Sequence, residues 1–156
     1  MSVLGAGSAV PEFSLARADG ESFGPADLVG KTTILVFYPF AFSPVCTDQL
    51  NIYEEVLEDI RGRGADIYGV SCDSGYSQTA FIEKLGVTIP QLSDFQPKGS
   101  ACEAFGVLHP GGFPQRALVV VGPDGNVAWS YQADSPGDLP GANLLFDGLD
   151  AAGASS

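Results

Sequence analysis

The stretch T-T-I-L-V-F-Y-P-F-A-F-S-P-V-C-T-D, residues 32–48, decides how this chain is read. Its first part, 32–38, is β-branched and aromatic with no polar alternation, which predicts a strand buried on both faces. Pro39 ends that strand, and 39–45 reads as a loop stiffened by Pro39 and Pro44. A helix follows, with an apolar stripe of Leu50, Tyr53, Val56/Leu57 and Ile60 that stops around Gly62 and Gly64. Cys46 therefore falls at the start of this helix. Unpaired backbone N–H groups and the positive end of the helix dipole favour a thiolate there.

Outward from this stretch, 13–23 alternates apolar and polar residues around Asp19-Gly20, as a short hairpin does. Gly24-Pro25 ends it, and 26–29 predicts one helical turn. Ala65–Ser71 is a second buried strand. The segment 77–85 is a helix with Phe81, Ile82 and Leu85 inward and Gly86 at its end. Residues 92–100 read as loop and 101–105 as a short helix. Ala117–Val121 is a strand, G-P-D-G-N at 122–126 a tight turn, and 127–131 the antiparallel return. A helix over 143–149 closes the chain.

Strands joined by a helix are parallel with a right-handed crossover, whereas the late hairpin is antiparallel. The expectation is an α/β protein of thioredoxin-like fold: a central mixed β-sheet flanked by helices, with an N-terminal β-hairpin extension. It forms one domain over residues 1–150, and 151–156 is a frayed tail. The loop after the first core strand then lies at the carboxyl edge of the sheet, where α/β sheets place their sites.

Composition narrows the function. At 156 residues the chain suits one domain, and 45% hydrophobic content suffices for a core. No apolar run approaches the ~20 residues of a membrane span, and the start lacks the basic residues and apolar stretch of a secretory signal. A soluble cytoplasmic protein is expected. Asp and Glu number 19 against 7 Lys and Arg, a net charge of −12. Such a chain repels nucleic acid. The charge suits a high-salt, halophilic cytoplasm, the plainer alternative being an ordinary acidic protein.

There is no C-x-x-C, no G-x-S-x-G, no P-loop and no G-x-G-x-x-G, and the single histidine, His109, is too few for a Cys/His zinc site. Three cysteines remain: Cys46, Cys72 and Cys102. Ser43, three residues before Cys46, can aim a hydroxyl into the same pocket, while Phe40 and Phe42 exclude water or meet a partner. A thiolate, a hydroxyl and backbone donors in a small apolar pocket suit attack on a peroxide. Asp48 argues against this unless it points away.

These residues resemble the peroxiredoxins, whose pattern Pro, three residues, Thr or Ser, two residues, Cys stands here as Pro39, Ser43 and Cys46. F-Y-P at 37–39, S-C-D-S at 71–74, L-S-D-F at 92–95 and P-Q-R-A-L-V-V-V-G-P-D-G at 114–125 extend the similarity over roughly residues 3 to 150. The resemblance implies a thiol peroxidase acting on hydrogen peroxide and organic hydroperoxides. Cys46 would be the peroxidatic nucleophile, passing through sulfenic acid. Ser43 would hydrogen-bond the peroxide, Arg116 would orient it and stabilise the thiolate, and Pro39 would shield the sulfur. Two departures stand out. Ser43 replaces the common Thr, losing the methyl that fixes its rotamer. Gln49 stands where a Glu is frequent, which weakens any carboxylate link to the arginine.

A common resolving position, five residues after the nucleophile, holds Asn51. The expectation is therefore a one-cysteine enzyme, closest to the alkyl hydroperoxide reductase E-like group. It would be recycled by an external thiol or a thioredoxin- or glutaredoxin-like reductant, with no metal, nucleotide or prosthetic group. The alternative uses Cys102, in a short helix after a loop, or Cys72, at a strand end near the same sheet edge, as resolving cysteine. A thiol-disulfide oxidoreductase pairing Cys46 with Cys102 is a second class. A non-enzymatic module binding through Phe40 and Phe42 is a third, though those aromatics would equally serve a homodimer. His109 reads as a loop residue, Trp129 and Tyr131 as packing, and Glu54, Glu55, Glu58 and Asp59 as a solvated helix face.

Overall fold

The computed structural model describes residues 3–135 and 137–154. The chain runs through β1 (Leu15–Arg17), β2 (Ser22–Phe23), a single 3-10 turn (Pro25–Leu28), β3 (Thr32–Phe37), α1 (Pro44–Glu55) and α2 (Leu57–Gly62). It continues as β4 (Ala65–Ser71), α3 (Gly75–Leu85), β5 (Gln91–Ser93), α4 (Ser100–Phe105), β6 (Ala117–Val121), β7 (Val127–Gln132) and α5 (Ala142–Ala151). All seven strands form one mixed sheet in the order β2-β1-β5-β4-β3-β6-β7. This is the thioredoxin-like arrangement with its N-terminal hairpin.

β3 lies inside the sheet, parallel to β4 (Ile34↔Ile67) and antiparallel to β6 (Leu35↔Val119). Both faces of the sheet are covered, so every residue of β3 is buried. On one face Ile34, Val36, Leu118 and Val120 pack against Leu50 and Tyr53 of α1, Ile60 of α2, Phe81 of α3 and Leu145 and Leu149 of α5. On the other, Leu35, Phe37, Val119 and Val121 meet Leu15, Phe23, Leu28 and α4.

Several elements differ from expectation. Leu92 and Ser93, expected at the start of a loop, belong with Gln91 to a strand that pairs parallel with β4 and antiparallel with β1. Three residues carry no readable periodicity, and partners distant in sequence decide their state. The long helix is broken at Val56, whose N–H turns to Tyr53 O at 3.2 Å, a tightened 3-10-type bond. α3 begins two residues earlier than expected because the Ser74 hydroxyl accepts the N–H of Ser77 at 3.2 Å. Residues 151–154 of the tail are hydrogen-bonded to the end of the fold. α5 reaches Ala151, the N–H groups of Gly153 and Ala154 return to Asp150 and Leu149 carbonyls, and Arg63 reaches the Ala154 carbonyl. Ser155 and Ser156 lie outside the described residues. No helix among the described residues is long and apolar enough to cross a membrane.

Candidate active site

Three segments meet at the carboxyl ends of β3 and β4. The strands run parallel with Phe37 opposite Val70, so Pro39 and the Cys72-Asp73 pair leave the sheet side by side. β6 runs the other way with Ala117 opposite Phe37, which brings Arg116 next to Tyr38. The loop between β3 and α1 is tied to the second segment, since Asp73 Oδ2 accepts the N–H of Ala41 at 2.8 Å. Phe42 sits in the left-handed region at φ 69°, a strained setting for a residue with a side chain. Its ring packs on Phe81 with centroids 5.2 Å apart.

Ser43 caps α1 and Pro44 occupies its first turn, so Cys46 is the third helical residue. Pro44 has no N–H to leave unpaired, which suits that position. The first helical bond runs from Thr47 N–H to Ser43 O at 2.9 Å, leaving the Val45 and Cys46 N–H groups at the positive helix end. Cys46 is fully buried among Val36, Tyr38 and Leu50.

Arg116 is only 3% exposed. Its Nη2 donates to Cys46 Sγ at 3.3 Å and its Nη1 to Gln49 Oε1 at 2.5 Å. Gln49 Nε2 donates in turn to Tyr53 Oη at 3.1 Å, and the Tyr53 hydroxyl donates to Pro140 O at 2.8 Å. Burial pushes the Tyr53 phenol up to about 12, so it stays a neutral donor in this chain of bonds. A guanidinium fork reaching a sulfur with one arm and an amide with the other is held in direction as well as in place.

Pro39, Ser43 and Arg116 line one cavity of about 290 Å³ with Phe40, Val45 and Phe113. The Ser43 hydroxyl donates to Phe40 O at 3.0 Å. Its own lone pairs remain to accept a hydrogen bond from a ligand O–H. Phe40 stacks obliquely on Phe113 at 4.9 Å. Asp48, which argued against a reactive sulfur, is exposed on α1.

The structure thus brings Pro39, Ser43, Cys46 and Arg116 together and leaves the other two cysteines apart. Cys46 packs in the cluster with Ile34 and Val36, while Cys72 and Cys102 pack on the opposite face of the sheet with Leu35 and Phe37. Cys72 leaves the carboxyl edge beside Pro39, as expected, but faces away from Cys46. His109 is a loop residue stacked on Phe113 at 4.3 Å. Trp129 packs against the core. Sequence reasoning missed the Gln49–Tyr53–Pro140 relay, the Asp73 tether and Phe113. Asp73 had a usable signal, because parallel pairing of two consecutive buried strands places the residues after them together.

Residues 6–130 match the sequence model of the AhpC/TSA family. The chain is 35% identical over 107 residues to "Peroxiredoxin Bcp" of Escherichia coli, covering 69% of this chain and 67% of the relative. The chain is a peroxiredoxin of the AhpC/TSA family. Among solved structures, AhpC of Enterococcus faecalis superposes with a TM-score of 0.85 at 27% identity, covering 98% of this chain and 93% of that one. Peroxiredoxin Q of Xanthomonas campestris superposes at 0.76 with 26% identity, covering 94% and 97%. As a peroxiredoxin it is a thiol peroxidase, an oxidoreductase that takes a peroxide as oxidant and a thiol as reductant.

Proposed function

We propose that Cys46 is the peroxidatic nucleophile of a one-cysteine peroxiredoxin, akin to the alkyl hydroperoxide reductase E-like group, acting on hydrogen peroxide and organic hydroperoxides. The observation that carries this reading is the buried Arg116 donating to Cys46 Sγ. The Cys46 thiolate attacks one peroxide oxygen, an S–O bond forms as O–O breaks, and the departing hydroxide or alkoxide takes a proton from solvent and leaves as water or an alcohol. Arg116 places positive charge against the sulfur and the oxygens that gain charge as the bond breaks. Ser43, its O–H donating to Phe40 O, accepts the hydrogen bond of the incoming hydroperoxide. Pro39 and the Phe40–Phe113 pair wall the cavity and limit water.

An external thiol then attacks the sulfenic sulfur, releasing water, and a second thiol frees Cys46 from the mixed disulfide. The reductant is a small thiol or a thioredoxin- or glutaredoxin-like protein. Asn51 at the common resolving position and the seating of Cys72 and Cys102 across the sheet both favour this external route. The half-exposed Phe40 and Phe42 support a homodimer. A monomeric mass by sedimentation at working concentration would sink that reading. The net charge of −12 supports a cytoplasmic, halophilic setting with no nucleic-acid partner.

The test is stopped-flow oxidation of the reduced protein by hydrogen peroxide beside Cys46→Ser, followed by intact mass. Fast oxidation confined to protein with Cys46, with a gain of one oxygen before thiol is added, is the expected result. Reaction no faster than that of free cysteine would end the peroxidatic assignment of Cys46.

A further inference from the structure

Cys72, at the carboxyl end of β4, and Cys102, in α4, face each other across the second core. Their sulfurs and a carboxylate oxygen of Asp94 all lie within 4.8 Å of one another. The pair is unequal. Cys102 is fully enclosed, whereas Cys72 opens onto a cavity of about 230 Å³ lined by Pro39, Phe40, Asp73, Phe95 and Lys98 among others. We propose that Cys72 and Cys102 form a second thiol centre, separate from Cys46, at which a small hydroperoxide is reduced as the pair closes to an intramolecular disulfide. The proposal rests on the reading that this chain meets hydroperoxides, but not on Cys46 itself.

Access assigns the two roles, since Cys72 lines the cavity and Cys102 does not, and the electrostatics agree. The neighbouring Cys102 thiol holds Cys72 below the ordinary thiol range, Lys98 acts in the same direction, and burial with the Asp94 and Asp73 carboxylates opposes them. The same contact, together with burial and Asp94, pushes Cys102 far up, so it keeps its proton. Cys72 is therefore the sulfur that meets the oxidant from the cavity, and Cys102 the one that waits behind it.

The Cys72 thiolate attacks a peroxide oxygen: S–O forms, O–O breaks, and the alkoxide leaves as alcohol or water after taking a proton from solvent. The Cys102 sulfur then attacks the Cys72 sulfenic acid. S–S forms, S–O breaks, and the hydroxide leaves as water with the Cys102 proton. Two thiols and one hydroperoxide give one disulfide, one alcohol and one water. Closing to a bond of about 2 Å requires the sulfurs to approach further.

Two thiols and a carboxylate are also a donor set for a thiophilic cation. Here both Asp94 oxygens accept backbone N–H groups, those of Ala101 and Cys102, at 3.0 and 2.8 Å, and the Lys98 ammonium shares the cavity. Both features disfavour a cation at this place.

The experiment uses the full-length Cys46→Ser protein, reduced, desalted and exposed to excess hydrogen peroxide. Thiols are then alkylated under denaturing conditions and the products mapped by mass. The expected result is a loss of two hydrogens, loss of both alkylatable thiols, and a linked peptide pair containing Cys72 and Cys102. Adding Cys102→Ala should replace the link by oxygen addition at Cys72, and adding Cys72→Ser should leave Cys102 alkylatable. A link that forms only when Cys46 is present would overturn the proposal, since the pair would then be draining Cys46. So would two thiols that stay alkylatable, or stoichiometric zinc that survives desalting and blocks them. Slow oxidation of Cys46 in the wild-type protein would refute the peroxidatic reading alone, because the Cys46→Ser result does not depend on it.

Discussion

Replacing Gln49 by Leu removes the one amide that joins the Arg116 fork to the Tyr53–Pro140 chain, while keeping an apolar side chain of similar size. The lost acceptor, at 2.5 Å from Arg116 Nη1, faced a charged donor that is 3% exposed. Hydrogen bonds to charged groups contribute about 1.5–3 kcal/mol. If that energy holds the other arm of the fork on Cys46 Sγ, its loss appears in the barrier of the sulfur step. At about 1.4 kcal/mol per factor of ten, oxidation of Cys46 by hydrogen peroxide should slow roughly 10- to 150-fold. Gln49→Glu restores an acceptor and adds a negative charge that Arg116 can meet, so its rate should stay within about tenfold of the wild type. The assay is stopped-flow oxidation, with urea denaturation of each variant to separate loss of stability from loss of rate. A Gln49→Leu protein that is less stable yet oxidises within twofold of the wild type would refute positioning through Gln49.

Arg116→Lys keeps the charge but cannot reach Gln49 and Cys46 together, and should cost about a hundredfold or more in the same assay; an unchanged rate would show that only charge matters. Gly148→Ala would set a Cβ 2.6 Å from Val120 Cγ2 and 2.8 Å from Trp129 Cε3, so it should lower stability by about 1–3 kcal/mol in urea without altering the oxidation rate. The Tyr53 phenol titrates at about 12 in the folded chain against 10.0 for the free group. Its share of the stability is complete below pH ~10 and is lost as pH rises towards ~12, at about 1.4 kcal/mol per pH unit. Alkaline unfolding of Tyr53→Phe should therefore be less steep with pH than that of the wild type, and equal slopes would contradict the assignment.

What the sequence disclosed follows the range of the interactions involved. β3, β4, β6 and β7 were legible because each is long enough to show buried or returning character over several residues. The crossover rule then set β3 parallel to β4, and the tight turn set β6 antiparallel to β7. β5 was not legible. Its three residues take strand geometry only because Gly69 to Ser71 and Ala16 to Arg17 offer partners on both sides. The break at Val56 was equally hidden, since Leu50, Tyr53, Leu57 and Ile60 keep the same inward face on both sides of it. An apolar stripe reports which side of a helix is buried and not whether its hydrogen bonds run unbroken.

The residues of the site divide in the same way. Pro39, Ser43 and Cys46 are fixed relative to each other by eight consecutive residues, so a short motif carries them. Arg116 lies 70 residues from Cys46 and arrives through topology. β6 is antiparallel to β3, so the residue before β6 must stand beside the residue after β3. Gln49 shows the limit of reading by residue type. Substituting an amide for a carboxylate pointed to a weakened link, yet the amide keeps an oxygen for Arg116 and gains an N–H that a carboxylate lacks. That N–H is what carries the connection on to Tyr53. The substitution therefore changes the arginine's environment from a charge pair at this contact to a neutral bridge. Less of the guanidinium's positive charge is then cancelled at this contact before it reaches the Cys46 sulfur. On that argument Gln49→Glu keeps the acceptor for Arg116 but gives up the N–H that reaches Tyr53 and weakens the field at the sulfur, so any loss of rate it shows combines the broken link with the weaker field.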